Sequence, residues 1–388
     1  MLVIYVISFF ILIFIFSYLY SWFKFPFWFI QPVMHYYSFY YWICKKGIIN
    51  YNLPLTNKFC NFNNIETKLF PIHKNEWNDI LLFIQHNYLT SGTNYFLPEL
   101  HNIQPFFLYE PSFLSIYWKF IPFIDGHEIK KKKEIYGLMT SRPVHVEFIS
   151  DNLNFDVYYV DYLCVKKDKR KQGIAPQIIQ THEFNQRHSN QNIKVSLFKR
   201  EEEITGIIPL CIYPSYLYSL PNELNPYSSS VYDITLANKN NLYLILDFFK
   251  DIKKTGKISV WIQCPFSEII SLVDTNNFFI FFITHKKSNK ILATLFFRNS
   301  RIFVDSKNVL TCFSSLFLQN IDDLQNIYYG CLFLIKDFGG FHCIENCSHN
   351  NKIIHSISQN IIVKSCCAFF FYNYSYCTIS SNQCFILL

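Results

Sequence analysis

The first 23 residues, MLVIYVISFFILIFIFSYLYSWF, contain no charged side chain. About 20 apolar residues in a row cross a bilayer as a helix, because a helix satisfies its own backbone hydrogen bonds inside lipid. The stretch has no positive leading segment, and Tyr18, Tyr20 and Trp22 stand where a cleaved signal would need small residues. A retained anchor over residues 1–23 is therefore expected, rather than a removed leader. Lys24, Lys45 and Lys46 follow the span. The positive-inside tendency then places the rest of the chain in the cytosol. A buried N-terminal arm is the other reading of the same residues.

The remaining chain must fold around its own core. The protein has 388 residues, 51% of them apolar and 19% aromatic. That suggests two domains or one large one, with ample core material. The net charge of +7 suits an anionic small ligand or a membrane surface, and no nucleic-acid-binding motif accompanies it. Thirteen cysteines show no framework spacing, which reads as reduced thiols. Cys343 and Cys347, with His342 and His349 nearby, match no standard zinc spacing. No metal is expected.

Periodicity organises the rest. KFPFWFIQPV (Lys24 to Val33) is aromatic and broken by Pro, and reads as an ordered arm without helix. HKNEWNDILLFIQHNYL (His73 to Leu89) has helical spacing, and EPSFLSIYWKFI (Glu110 to Ile121) reads as a second short helix. EIYGLMTSRPVHVEFIS and DVYYVDYLCV alternate as strands do. The second half repeats this order. NLYLILDFFKDI is helical, FFIFFITHKKSNKILATLFFRNSRIFV is a strand pair, and LQNIYYGCLFLIKDFGG is a helix with Gly339-Gly340 as its C-cap. CCAFFFYNYSY is a late strand. The expected class is α/β (α+β), as two related lobes joined near Pro209 to Pro226.

Between the two strands of the first half and its next helix runs CVKKDKRKQGIAPQII (Cys164 to Ile179). Unpaired amides at a helix start favour an anion, and a Gly there lets backbone approach a phosphate. RKQGIA (Arg170 to Ala175) fits Arg-x-x-Gly-x-Ala, the pyrophosphate loop of the GNAT acetyltransferase superfamily. YLCVKKDKRKQGIAP resembles the signature region of the glycylpeptide N-tetradecanoyltransferases (N-myristoyltransferases). There Phe-Leu-Cys-Val leads to Arg and Ala-Pro, matched here by Tyr162 to Val165, Arg170, Ala175 and Pro176. FWFIQPV (Phe27 to Val33) resembles that family's Phe-Trp-x-Thr-Gln-Pro-Val. YEPSFLSIYW, ITGIIPL, Gly340-Phe341 and FFFYNY resemble further segments in family order.

The resemblance implies a fold of two pseudo-symmetric GNAT-like lobes around a central mixed sheet, behind the N-terminal transmembrane helix. It divides the chain into an anchor (1–23), an acyl-CoA-binding arm (24–60), an acyl-CoA lobe (61–215) and a peptide lobe (216–388). It implies transfer of a tetradecanoyl group from myristoyl-CoA to the amine of an N-terminal glycine, with a monomeric enzyme and Gly-initiated proteins as partners. Acyl-CoA would be held by Pro26, Phe27 and Trp28, by Tyr162, Leu163, Cys164 and Val165, and by Lys171, Gln172, Gly173, Ile174 and Ala175. The oxyanion would sit on the amides of Tyr162 and Leu163. Thr205, Asn346 and Tyr372, with Asn373 beside it, would accept from the ammonium.

The base implied by the resemblance is the terminal carboxylate, here Leu388 at the end of CFILL. In water an α-carboxyl near ~3.5 takes a proton from an α-amino group near ~7.8 only uphill, by about 6 kcal/mol. Burial of the carboxylate narrows that gap, and an apolar tail provides burial. Three departures stand out: Asp161 for the family's Asn, Lys166 for its His, and Gly173 where Arg is usual. The late Gly-Asp-Gly signature is missing, with IIVKSCCAF in its place. Two alternatives follow: a catalytically degenerate, membrane-tethered acyl-CoA or peptide-binding protein, or a GNAT acyltransferase with a different acyl chain or acceptor.

Overall fold

The computed structural model describes residues 2–43, 45–89, 94–108, 111–125, 128–201, 206–221 and 223–388. The opening apolar stretch is one helix, α1 (Leu2–Lys24). It is long and apolar enough to cross a membrane, and its apolar window is not buried against the body. The buried-arm reading is thereby set aside. The Phe25 N–H donates to Ser21 O and closes the last turn of α1; Phe25 itself leaves the helix at φ −130° and ψ 57°, and Pro26–Phe29 form one helical turn, α2. The arm was expected to hold no helix. Pro26 is the reason for the turn, since its fixed φ suits the first helical position.

Among the described residues, the body is built on one sheet of fifteen strands, one of them the two-residue Tyr95–Phe96. Its first half runs β1 (Ile65–Leu69), α3 (Lys74–Asn87), β2 (Phe113–Asp125), β3 (Glu128–Phe148), β4 (Leu153–Val165), α4 (Ile174–Ser189) and β5 (Ser196–Glu201). β6 (Cys211–Ser219) follows. The second half repeats the pattern: β7 (Tyr232–Leu236), α5 (Leu244–Lys254), β8 (Val260–Gln263), α6 (Phe266–Asp274), β9 (Phe278–His285), β10 (Lys290–Val304), β11 (Lys307–Phe317), α7 (Leu324–Leu334) and β12 (Phe341–Glu345). It ends with α8 (Asn350–Ser356), β13 (Val363–Tyr372) and β14 (Cys384–Leu387).

The two halves match strand by strand. In each, three antiparallel strands lead through a helix to a parallel fourth: β2–β3–β4 to β5, and β9–β10–β11 to β12. The halves also exchange strands. β6 pairs with β12 of the second half, β13 pairs with β5 of the first, and β13 and β6 pair with each other. The central sheet is therefore mixed and continuous.

One expected helix is a strand. Phe113 to Tyr117 are all buried, so the segment shows no alternation, and a short apolar run of this kind fits either element. Pairing decides it: β2 lies between β1 and β3. The proposed glycine cap is also different. α7 ends at Leu334, a 3₁₀ turn follows, and Gly339 is extended at φ −157°. A Cβ on Gly339 would lie 2.7 Å from Leu310 Cγ, and one on Gly340 would lie 2.7 Å from Lys307 Cβ. These glycines serve close packing on β11, not a left-handed cap.

β14 runs parallel to β8, with Gln263 opposite Leu387, and the Cys264 N–H donates to Leu387 O at 2.9 Å. Its side chains are buried on both faces. Phe385 packs on Trp261, Phe249 and Phe296 with ring centroids 4.2, 5.4 and 5.3 Å apart. Phe385→Ala is expected to cost about 3–5 kcal/mol, read as a shifted denaturant midpoint at unchanged slope.

Candidate active site

The parallel pair β4–β5 is in register only at Tyr158–Ser196, Tyr159–Leu197 and Val160–Phe198. Beyond Val160 the strands part. A bulge opposite the same point contributes: Met139 faces Leu163 while Ser141 faces Val160, so Asp161 and Tyr162 together oppose Thr140. A bulge kinks a strand and raises its twist. A cavity of about 800 Å³ fills the gap, with Asp161, Tyr162 and Leu163 on one wall and Phe198, Lys199 and Glu201 on the other. That volume is within the usual range for a ligand site.

The arm closes one side of the cavity. Pro26, Phe27 and Trp28 line it, and Trp28 stacks on Phe198 at 5.5 Å. Gln31 explains the Gln of the FWFIQPV segment. Its amide donates to Gln180 Oε1 at 3.0 Å and accepts from the Tyr372 hydroxyl at 2.6 Å, tying the arm to α4 and β13. Tyr372 itself lines the cavity.

The basic loop lies beside it. Gly173 precedes α4 with φ +75°, and Lys171 is also left-handed at φ +63°. A Cβ on Gly173 would meet nothing within 4 Å, so the residue is needed for its backbone angle, and the space before it is open. Successive amides turned this way form an anion-binding concavity, here at a helix N-terminus. Arg170 is engaged with the protein: it donates to Val165 O and, at 2.5 Å, to Asn87 O at the end of α3. Ala175 and Pro176 line the cavity, while Lys171, Gln172, Gly173 and Ile174 do not.

Other expected residues are spread more widely. Cys164 and Val165 are buried in apolar clusters behind the cavity wall. The Tyr162 N–H donates to Thr140 Oγ1 at 3.1 Å, so one of the two expected oxyanion amides holds a hydroxyl. Thr205 lies outside the described residues. Asn346 does not line the cavity, and its N–H donates to Pro214 O. Asn373 is a turn residue at φ +65°, and its amide donates to Asn50 O and Lys194 O. The cysteines and histidines weighed for zinc each have separate partners: Tyr328 and Gln359 for His342, the Phe317 amide for His349, Ser215 for Cys343, and the Ser381 and Cys384 carbonyls for Cys347.

Leu388 emerges from β14 into the cavity, buried, beside Tyr159, Lys199, Tyr213, Arg298 and Glu345. These side chains form a network that sequence reasoning missed. Glu345 accepts from Lys199 at 2.9 Å, Tyr213 at 2.8 Å and Arg298 at 3.4 Å. Burial favours its neutral form, but the two cations more than offset this and hold its carboxyl below the ordinary range.

A second network backs the bulge. Arg142, with 0% of its side chain exposed, donates to Asp161 at 2.7 Å and to Glu268 at 2.5 Å. Burial pushes Glu268 up to about 7, with Arg142 pulling the other way. Burial likewise raises Asp161 against the pull of Arg142. The available signal was an arginine among apolar strand residues, Arg142 in β3 and Arg298 in β10; Lys199 in β5 stands beside Arg200 and Glu201 and offers no such contrast. Buried cations need partners.

No known family profile matches this chain, and no curated protein matches it. Solved structures do. A Saccharomyces cerevisiae N-myristoyltransferase with bound myristoyl-CoA is similar at TM-score 0.70 and 12% identity, over 92% of this chain and 89% of that one. The same enzyme with bound myristoyl-CoA and inhibitors is similar at TM-score 0.71 and 12% identity, over 92% and 91%. The chain thus has the N-myristoyltransferase fold, in a divergent sequence.

Glu183 of α4 lines the cavity, and burial pushes it up to about 7 against the pull of Arg187. A carboxyl raised in the folded state stabilises most below its unfolded pKa and loses that advantage as pH rises through the folded value. Between about pH 4.5 and 7 this group should cost up to ~1.4 kcal/mol of stability per pH unit. Glu183→Gln should remove that slope, measured by denaturant unfolding of both proteins across this range.

Proposed function

We propose that this chain is an N-myristoyltransferase, transferring a tetradecanoyl group from myristoyl-CoA to the amine of an N-terminal glycine. The observation that carries the proposal is the parting of β4 and β5. It brings the FWFIQPV arm, the Asp161–Leu163 segment and Leu388 around one cavity, on a fold shared with an enzyme solved with myristoyl-CoA.

In this reading the amides before α4 and the lysines of the loop hold the CoA phosphates. The apolar lining, including Phe96, Met139 and Ile179, takes the acyl chain. The glycine amine attacks the thioester carbonyl, and negative charge develops on its oxygen. The amides of Leu163 and Tyr162 stabilise that charge, the Thr140 hydroxyl yielding its hold on Tyr162. The C–S bond then breaks, the proton that the nitrogen sheds as the amide forms passes to the sulfur, and CoA leaves as the thiol. An oxyanion donor of this kind is worth about 3 kcal/mol.

The amine must first lose a proton. The terminal carboxylate of Leu388 takes it, desolvated by the walls that bury this residue. Around the terminal carboxylate, Glu345 is held by Lys199 and Arg298, and Lys199 also meets Glu201. Asn346 and Asn373 are given no part. Tyr372, bonded to Gln31, shapes the cavity beside the amine.

α1 serves as a membrane anchor with the body on the cytosolic side. A myristoyl chain alone binds a bilayer only marginally, so acylation beside the membrane hands the product over directly. One observation favours a second reading, a degenerate acyl-CoA-binding protein: the residues standing in for the Gly-Asp-Gly loop form the start of strand β13. A single assay separates the two. Full-length protein, myristoyl-CoA and a Gly-initiated peptide should give the acylated peptide and free thiol. Extending the chain beyond Leu388 should lower turnover about 10²–10⁴-fold while leaving acyl-CoA affinity nearly unchanged. Full turnover in the extended protein would remove the carboxylate from the mechanism.

A further inference from the structure

The β2–β3 hairpin runs past the body that supports it. Phe113 to Tyr117 are buried, but from Lys119 onward the ribbon leaves the core. Register places Phe120 opposite Lys133, Ile121 opposite Lys132, Pro122 opposite Lys131 and Phe123 opposite Lys130. Phe120 and Phe123 are 58% and 42% exposed, and all four of those lysines are exposed. An antiparallel sheet normally packs one face and wets the other. Here neither face is covered, and both carry an aromatic ring set against a lysine. A two-stranded ribbon in water is at best marginally stable.

Between Lys119 and Lys133 five lysines stand against only Asp125 and Glu128. At the base, Glu134 is matched by Lys166, and Glu66 by Lys68 and Lys133. The net charge of the outer ribbon is therefore positive, with Lys133 shared with Glu66 of β1. Lys133 also lies 4.0 Å from the centroid of the Trp118 ring at the base of the ribbon.

We infer that the outer β2–β3 hairpin docks on an anionic membrane surface. Aromatic rings settle at the headgroup level, lysine stems cover apolar surface while their heads stay in the polar layer, and anionic lipids attract the ammonium groups. Exposed aromatics and lysines would also suit single-stranded RNA. The membrane is favoured because this chain carries α1, which would hold the body beside a bilayer. To that extent the inference rests on α1 acting as an anchor.

The lysines provide their own probe, since trypsin cleaves after them. Full-length protein is placed in nanodiscs of phosphatidylcholine alone or with added phosphatidylserine. Co-elution with the neutral discs reads the anchor; cleavage at Lys130–Lys133, followed by mass spectrometry, reads the hairpin. Cleavage there should be several-fold slower on anionic discs at low salt, and high salt should abolish the difference. Replacing Lys131 and Lys132 by Gln should also abolish protection of the remaining sites, with co-elution unchanged. Equal cleavage on both discs, or protection by RNA but not by anionic lipid, would overturn the inference. Failure to co-elute with neutral discs would overturn the anchor instead.

Discussion

A parallel strand pair that stays together for three residues and then parts is the constraint on which the site depends. While β4 and β5 are paired they satisfy each other's backbone groups. Past Val160 and Phe198 they cannot, and unpaired buried backbone is costly. The protein meets part of this cost locally, with Thr140 taking the Tyr162 amide. The rest of the space is left for something that can accept hydrogen bonds. A cavity made this way has both charged and apolar side chains on its walls.

The charged residues are arranged around that opening. Arg142 lies behind the bulge with Asp161 and Glu268, and Lys199 and Arg298 lie across the gap with Glu345. Removing one member of such a network leaves another charge buried and unpaired, which costs far more than the intact pair contributes. These groups therefore fix the shape of the cavity as well as its charge. Their placement on five different strands, β3, β4, β5, β10 and β12, and on α6 ties that shape to the central sheet.

Much of this was legible in the sequence. The apolar opening stretch, the strand–loop–helix unit around Gly173 and the repeated order of the halves all follow from local composition and periodicity. The arm motif and Leu388 were found through a family resemblance, not through spacing. What was misread has a common cause. Residues 113–117 are buried on both faces, so pairing partners far away in sequence decided strand over helix. Asn346 and Asn373 are polar residues whose partners are backbone carbonyls or loops elsewhere, and nothing local distinguishes that from a ligand site. The buried networks also depend on long-range pairing, and a lone Arg in a strand names no partner.

The exchange of β6 and β13 between the halves reaches beyond the site. Each half, taken alone, would lack a central strand and present raw sheet edges to solvent, where other chains could add to them. The pairing that closes the sheet joins residues such as Ser196 and Tyr372, separated by most of the second half of the chain. Such distant contacts are slow to form. Slow folding is thus a consequence of the topology rather than of any weakness in the finished core.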